Sequence, residues 1–259
     1  MSELADRTIV ALRAEHDSLT TLLPNLTDEQ LAGPSGASEW TIAQVLSHLG
    51  SGAEIGRLPI ARALGESVPD EDNESIWARW DAAGPVDQAA GFVRHGQAYL
   101  DTIESLTPEQ RESLIVDLGF LPEPVPLVVA LGMRLNEVSA HAWDVRVGLD
   151  PAAGVNPDSA TLVLELLAGP VSFLLGFAAR ADELAEPARV SIPGGGAIEI
   201  ADEVALRTGL ADPTATFDGP QEAVVRLLSG RLKPEHTPEE VQVTGNVTLD
   251  DLRKVFPGY

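Results

Sequence analysis

Glu137 and His141 stand four residues apart in the run LVVALGMRLNEVSAHAWDVRVGL, residues 127–149. If that run is a helix, both side chains leave the same face, one turn apart. A carboxylate and an imidazole so placed can share a metal ion. They can equally form a partly buried ion pair at a helix seam, which is the commoner use of a two-residue match. The first half of the run is nearly all apolar, so its helix is expected to be buried on most sides. A carboxylate there is costly unless it is paired or bound to a cation. A further histidine, His48, lies beside an apolar stripe in WTIAQVLSHL, residues 40–49. Taken by itself it reads as a satisfied core histidine. Asp144, three residues after His141, either orients that histidine from behind or is a surface acid near a helix end. His16, between Glu15 and Asp17, reads as a solvated side chain, and Trp40 as a core anchor at a helix entry.

These residues need elements to hold them. Leu4, Ile9, Leu12, Leu19 and Leu22 follow helical spacing over 4–23, ending before Pro24. Thr41 and Gln44 form a T-x-x-Q capping box before Ile42, Val45, Leu46 and Leu49, which starts a helix carrying His48. Residues 65–73 read as an acidic loop. A third helix is expected over 87–106, and Thr107-Pro108 is another helix start. The proline-rich stretch 119–126 leads into the run at 127–149. The first half therefore reads as four substantial helices in a bundle, whose antiparallel packing can bring His48 near Glu137 and His141. After Pro151 the character changes. One more apolar helix is expected over 157–180. Strand-like runs follow at 188–192, 197–202, 205–209, 214–219 and 241–245, with a PGGG turn, a helix from Pro220 to Gly230 and a short last helix. The fold class expected is two-part: an all-α four-helix bundle over residues 1–152 and a smaller α+β domain over 153–259.

Composition limits the function. There is no cysteine in 259 residues, so any thiol chemistry must use a thiol brought by a small molecule. A formal charge of −23 argues against nucleic acid and anionic membrane surfaces as partners. The N-terminus does not read as a signal peptide and no run is long enough to span a bilayer, so a cytoplasmic protein is expected. Only two lysines, Lys233 and Lys254, stand against many arginines, as in proteins from GC-rich, actinobacterial genomes. A monomer is the expected state.

The segments EWTIAQVLSHL (39–49), RLNEVSAHAWDV (134–145) and LLSGR (227–231) together resemble the mycothiol-dependent maleylpyruvate isomerase family over essentially the whole chain. The resemblance implies a DinB-like four-helix bundle followed by a domain similar to sterol carrier proteins. It implies zinc held by His48, Glu137 and His141, mycothiol as the thiol cosubstrate, and a catalytic arginine from the second domain. Arg231 is the best match for that arginine, with Arg226 the nearby alternative. Trp40 and Asp144 also fall on the family pattern. Two neutral imidazoles and one carboxylate leave zinc with a net charge of about +1 and an open position, as in catalytic sites. The implied activity is attack of a metal-activated mycothiol thiolate on an electrophilic small molecule, as a mycothiol S-transferase or a maleylpyruvate cis–trans isomerase. The alternative is a non-catalytic carrier of small molecules or lipids.

Overall fold

In the computed structural model, residues 2–209 and 212–258 are described. Contacts divide the chain into two compact units, Met1–Ala153 and Gly154–Tyr259.

The first unit is built on four long helices. α1 (Ser2–Leu22) is followed by a short α2 (Asp28–Leu31), then α3 (Ile42–Ala63), α4 (Asn73–Asp81), α5 (Pro85–Glu104) and α6 (Pro108–Ser113). A two-residue ladder, β1 (Ile115–Val116) against β2 (Val125–Pro126), leads into α7 (Leu127–Val147). The starts are local chemistry. Thr27, Thr41 and Thr107 each accept a hydrogen bond from the backbone of a glutamine three residues on, and each glutamine side chain answers back. α1, α5, α3 and α7 pack in that cyclic order, each against two neighbours. α7 is buried nearly all round at its start, from Leu127 to Gly132, as expected for a helix apolar on every side.

Two departures from the expected elements occur here. The acidic loop ends at Asp72, whose side chain accepts from Ser75 N at 2.7 Å and starts α4. α4 is anchored by Trp80, which lies in notches at Gly50 of α3 and Gly91 of α5; a Cβ at either glycine would collide with its ring. Leu58, Ile76 and Trp80 form a core cluster between α3 and α4. His16 is not solvated. It is 6 % exposed, its ring lies 5.3 Å from that of Phe92, and Gly96 makes room for it.

The second unit begins with α8 (Pro157–Leu167). The expected long helix over 157–180 is broken. Gly169 and Pro170 follow the C-cap Ala168, and proline cannot continue a helix because it lacks the N–H and its ring clashes with the preceding turn. The chain resumes as a 3-10 turn (Ser172–Leu174) and α9 (Leu175–Ala178), bent by 88°. Among the described residues no single helix is long and apolar enough to cross a membrane; that bent pair passes by length and composition only.

Five strands follow: β3 (Ala188–Ile192), β4 (Gly196–Ile200), β5 (Val204–Thr208), β6 (Ala215–Asp218) and β7 (Gln242–Gly245). The sheet order is β5-β4-β3-β6-β7, with β3 and β6 parallel and the other pairs antiparallel. Ala188, Val190 and Ile192 point inward by alternation. α10 (Gln221–Leu228) lies between β6 and β7 in sequence and packs on α8, and α11 (Leu249–Val255) closes the chain. The two-part fold class expected from the sequence is the one observed.

Candidate metal centre

α3 and α7 pack side by side, and this brings three donors together. His48 Nε2 lies 3.3 Å from Glu137 Oε2, and His141 Nε2 lies 3.6 Å from the same oxygen. One donor atom from each of the three residues lies within 4.8 Å of the others, a group that could hold a metal ion. Donors 2.0–2.2 Å from a tetrahedral zinc stand about 3.3–3.6 Å from each other. The two distances to Glu137 match that spacing, so the cluster could hold a metal with small adjustments of its side chains.

The site is graded in exposure. Glu137 and His48 are 43 % and 38 % exposed, while His141 at the back is 13 % exposed. Glu137 thus sits at the rim of the seam rather than in a dry core. Burial pushes its carboxyl up, but hydrogen bonds with His141 and His48 and their charge outweigh burial and hold it well below the usual carboxylate range. Arg134, one turn earlier on α7, donates to Leu49 O at 2.5 Å and stands 5.8 Å over the Tyr99 ring. Burial lowers the Arg134 guanidinium from its ordinary value and pushes the Tyr99 phenol up to about 12.

Asp144 is fully buried, and its Oδ2 lies 2.8 Å from His141 Nδ1. It is not a surface acid. A carboxylate on Nδ1 fixes the ring orientation and leaves Nε2 with its lone pair toward the cluster. The 33–41 loop is laid over this residue: Gly36 N donates to the main-chain carbonyl of Asp144 at 2.9 Å, and a Cβ at Gly36 would stand 2.8 Å from the carboxylate oxygen Asp144 Oδ1. Trp40, on the same loop, is 38 % exposed and is not a core anchor. Its ring centroid lies 5.1 Å from that of His48 and 5.9 Å from that of His141. Loop residues next to a helix start are visible in sequence, but the direction of a tryptophan side chain is not.

The two arginines considered for catalysis lie in the second unit. Arg226, on α10, is 3 % exposed and locked: it donates to both oxygens of Glu222 at 2.8 and 2.6 Å and to His236 O at 2.5 Å. Glu222 also accepts from Val155 N. Arg226 is thus a strut inside its unit. Arg231 is half-buried after the turn at Gly230 and donates through Nη1 to Ser229 O at 3.1 Å.

A family model described as the mycothiol maleylpyruvate isomerase N-terminal domain matches residues 12–146, just over half of the chain. The chain belongs to this family. All three donors and Asp144 fall within the matched residues. Two uncharacterized proteins of Mycobacterium tuberculosis, from strains H37Rv and CDC 1551, are each 28 % identical over 153 residues, 59 % of this chain and 72 % of theirs. Crystal structures titled mycothiol-dependent maleylpyruvate isomerase, one of them a histidine-to-alanine mutant, superpose with a TM-score of 0.63. They cover 98 % of this chain and 97 % of theirs at 18 % identity, a likeness of fold.

Proposed function

We propose that this member of the mycothiol maleylpyruvate isomerase family is a zinc-dependent enzyme that uses mycothiol to attack an electrophilic small molecule. The observation that carries the proposal is the convergence of His48, Glu137 and His141, with Asp144 buried behind His141. A zinc ion held by the three would supply a Lewis acid that deprotonates a thiol at neutral pH. The three side chains would hold it from one side only, and the exposed His48–Glu137 rim leaves an approach for the thiol. The chain has no cysteine, so the sulfur nucleophile must be borrowed.

Two outcomes share this chemistry. With maleylpyruvate, sulfur adds to the cis double bond and a C–S bond forms. The π electrons pass to the keto oxygen as an enolate, whose charge Arg231 is proposed to hold. Rotation about the resulting single bond and expulsion of the same thiolate give the trans isomer. With an epoxide or halide, the departing oxygen or halide takes the electron pair and the thioether is the product. Actinobacterial relatives support mycothiol as the thiol.

The first experiment is elemental analysis of untagged protein beside its His48→Ala variant. About one zinc per chain, lost in His48→Ala and likewise in Glu137→Ala and His141→Ala, is the expected result, and turnover with mycothiol and a panel headed by maleylpyruvate should follow the metal. Arg231→Ala should keep its zinc and lose turnover. A native chain that takes up no metal even after zinc is added back would overturn the proposal and leave a carrier of small molecules on this fold.

A further inference from the structure

The face of α3 that carries His48 does not end there. Ser51, Ile55, Pro59 and Arg62 follow it at spacings of three and four, so they line one side of the helix. With Trp77 of α4 and Phe120 of the 117–120 loop, this stripe walls a cleft of about 790 Å³ formed entirely within the first unit. That volume is in the range of pockets that enclose a sizeable organic ligand. Fourteen residues of helix separate His48 from Arg62, a rise of about 21 Å.

The walls are mostly apolar, and three large apolar side chains stand exposed around them: Trp77 at 48 %, Ile115 at 53 % and Phe120 at 68 %. Exposed large apolar side chains gathered around one concave cleft are a feature of ligand-binding sites. The acids of the cleft are already engaged. Glu71 pairs with Arg79 at 3.3 Å, and Asp117 accepts from Gly119 N at 2.9 Å. Arg62, at the end far from His48, is exposed and forms no ion pair among the described residues.

We propose that the cleft binds an elongated amphipathic monoanion. Its anionic head lies at Arg62, its apolar body runs along Ile55, Trp77 and Phe120, and its far end reaches the His48 cluster. Among the electrophiles of the proposed reaction, this cleft favours a long, apolar-bodied molecule with one acidic group over a compact dicarboxylate such as maleylpyruvate. A compact dicarboxylate would meet one cation beside two carboxylates and leave most of the cleft unfilled. This rests on the proposed function only for what happens at the far end; the binding itself needs neither metal nor thiol.

The probe is 11-(dansylamino)undecanoic acid, which has an apolar chain and a single carboxylate and carries no electrophile. Titrated into the full chain, it should show saturable, one-to-one enhancement of dansyl emission with energy transfer from tryptophan. Arg62→Gln, Trp77→Ala and Phe120→Ala should each weaken binding about tenfold with an unchanged thermal midpoint, because all three side chains are exposed. The methyl ester of the probe should bind the native chain about as weakly as the acid binds Arg62→Gln. Affinity unchanged in both Trp77→Ala and Phe120→Ala would overturn the cleft as the site, and an ester that binds as tightly as the acid would overturn the role of Arg62. Zinc and turnover without probe binding would sink this inference alone. Probe binding in a chain that takes up no zinc would sink the catalytic proposal and leave the cleft.

Discussion

Asp144 is the residue whose removal should most cleanly separate holding the metal from holding the fold. Asparagine can still accept the His141 Nδ1–H, but it removes the charge behind the imidazole. Asp144→Asn should therefore fold and bind zinc about 10- to 100-fold more weakly, measured by competition with a chromogenic chelator. Unchanged affinity would reduce Asp144 to a packing residue. The pairing of Glu137 and His141 on one helix face was visible as a local four-residue spacing, but His48 by itself read as a core histidine, and the set of three rested on the family resemblance. The role of Asp144 was not visible, since position 144 is three residues past His141 whether the helix end is buried or bare. Burial was decided by the 33–41 loop, which contacts α7 across more than a hundred residues of sequence. Trp40 and His16 were misjudged for the same reason. The environment of each is set by remote partners: the His48 and His141 rings for Trp40, and Phe92 and Gly96 for His16.

Among the elements, the 33–41 loop and α4 are held by close approaches that only glycine allows. A methyl at Gly36 would press on Asp144, Trp143 and Val147 at once. Gly36→Ala should destabilise the protein by about 1–3 kcal/mol and weaken zinc binding as well, read by urea unfolding and by the same chelator. Gly91→Ala should cost a similar amount through Trp80 but leave zinc affinity unchanged, because that notch lies on the α4 side of the bundle. α4 also carries an acid-sensitive contact. Glu54 of α3 accepts from Trp80 Nε1 at 2.7 Å and pairs with Arg79 at 2.8 Å. Burial raises its carboxyl, but the bonds from Arg79 and Trp80 outweigh burial and hold it below its ordinary value of 4.5. A depressed folded-state pKa means stability present above 4.5 and lost as the pH falls through the folded value. Glu54→Gln should thus be less stable than the native chain at neutral pH and lose less on acidification, followed by urea midpoints from pH 7 to 3; parallel curves would rule the contact out. Helix starts were the most legible elements, because Thr41–Gln44 and Thr107–Gln110 are self-contained capping boxes. α4 was missed because its apolar positions, Ile76 and Trp80, are few and follow an acidic loop. The break after Leu167 was missed because the apolar pattern runs on through Gly169-Pro170, although that dipeptide carries the stop signal in plain view.

At the scale of the molecule, a charge of −23 sets the background for every other interaction. Self-repulsion of this size opposes the compact state, and salt screens it. The thermal midpoint should rise as sodium chloride goes from about 0.02 to 0.3 M; a fall would mean that ion pairs such as Arg13–Glu104 contribute more than the repulsion costs. The two-part fold was legible because short alternating runs set in at residue 188 and recur to 245, whereas the first half shows helical spacing throughout. The difference between Arg226 and Arg231 was not, because both lie in one short segment; Arg226 is held by the i,i+4 pair with Glu222 and by the His236 carbonyl, and that second contact is not visible in the sequence. The placement of the candidate metal site along the chain has a further consequence. His48, Glu137, His141, Asp144 and the loop over them all precede residue 148, with about 110 residues still to follow. At roughly 5–20 residues per second, translation needs on the order of ten seconds to finish those residues. The half that carries the candidate metal site therefore emerges first, and under the proposed function its ion could be taken up before the second half has been synthesised.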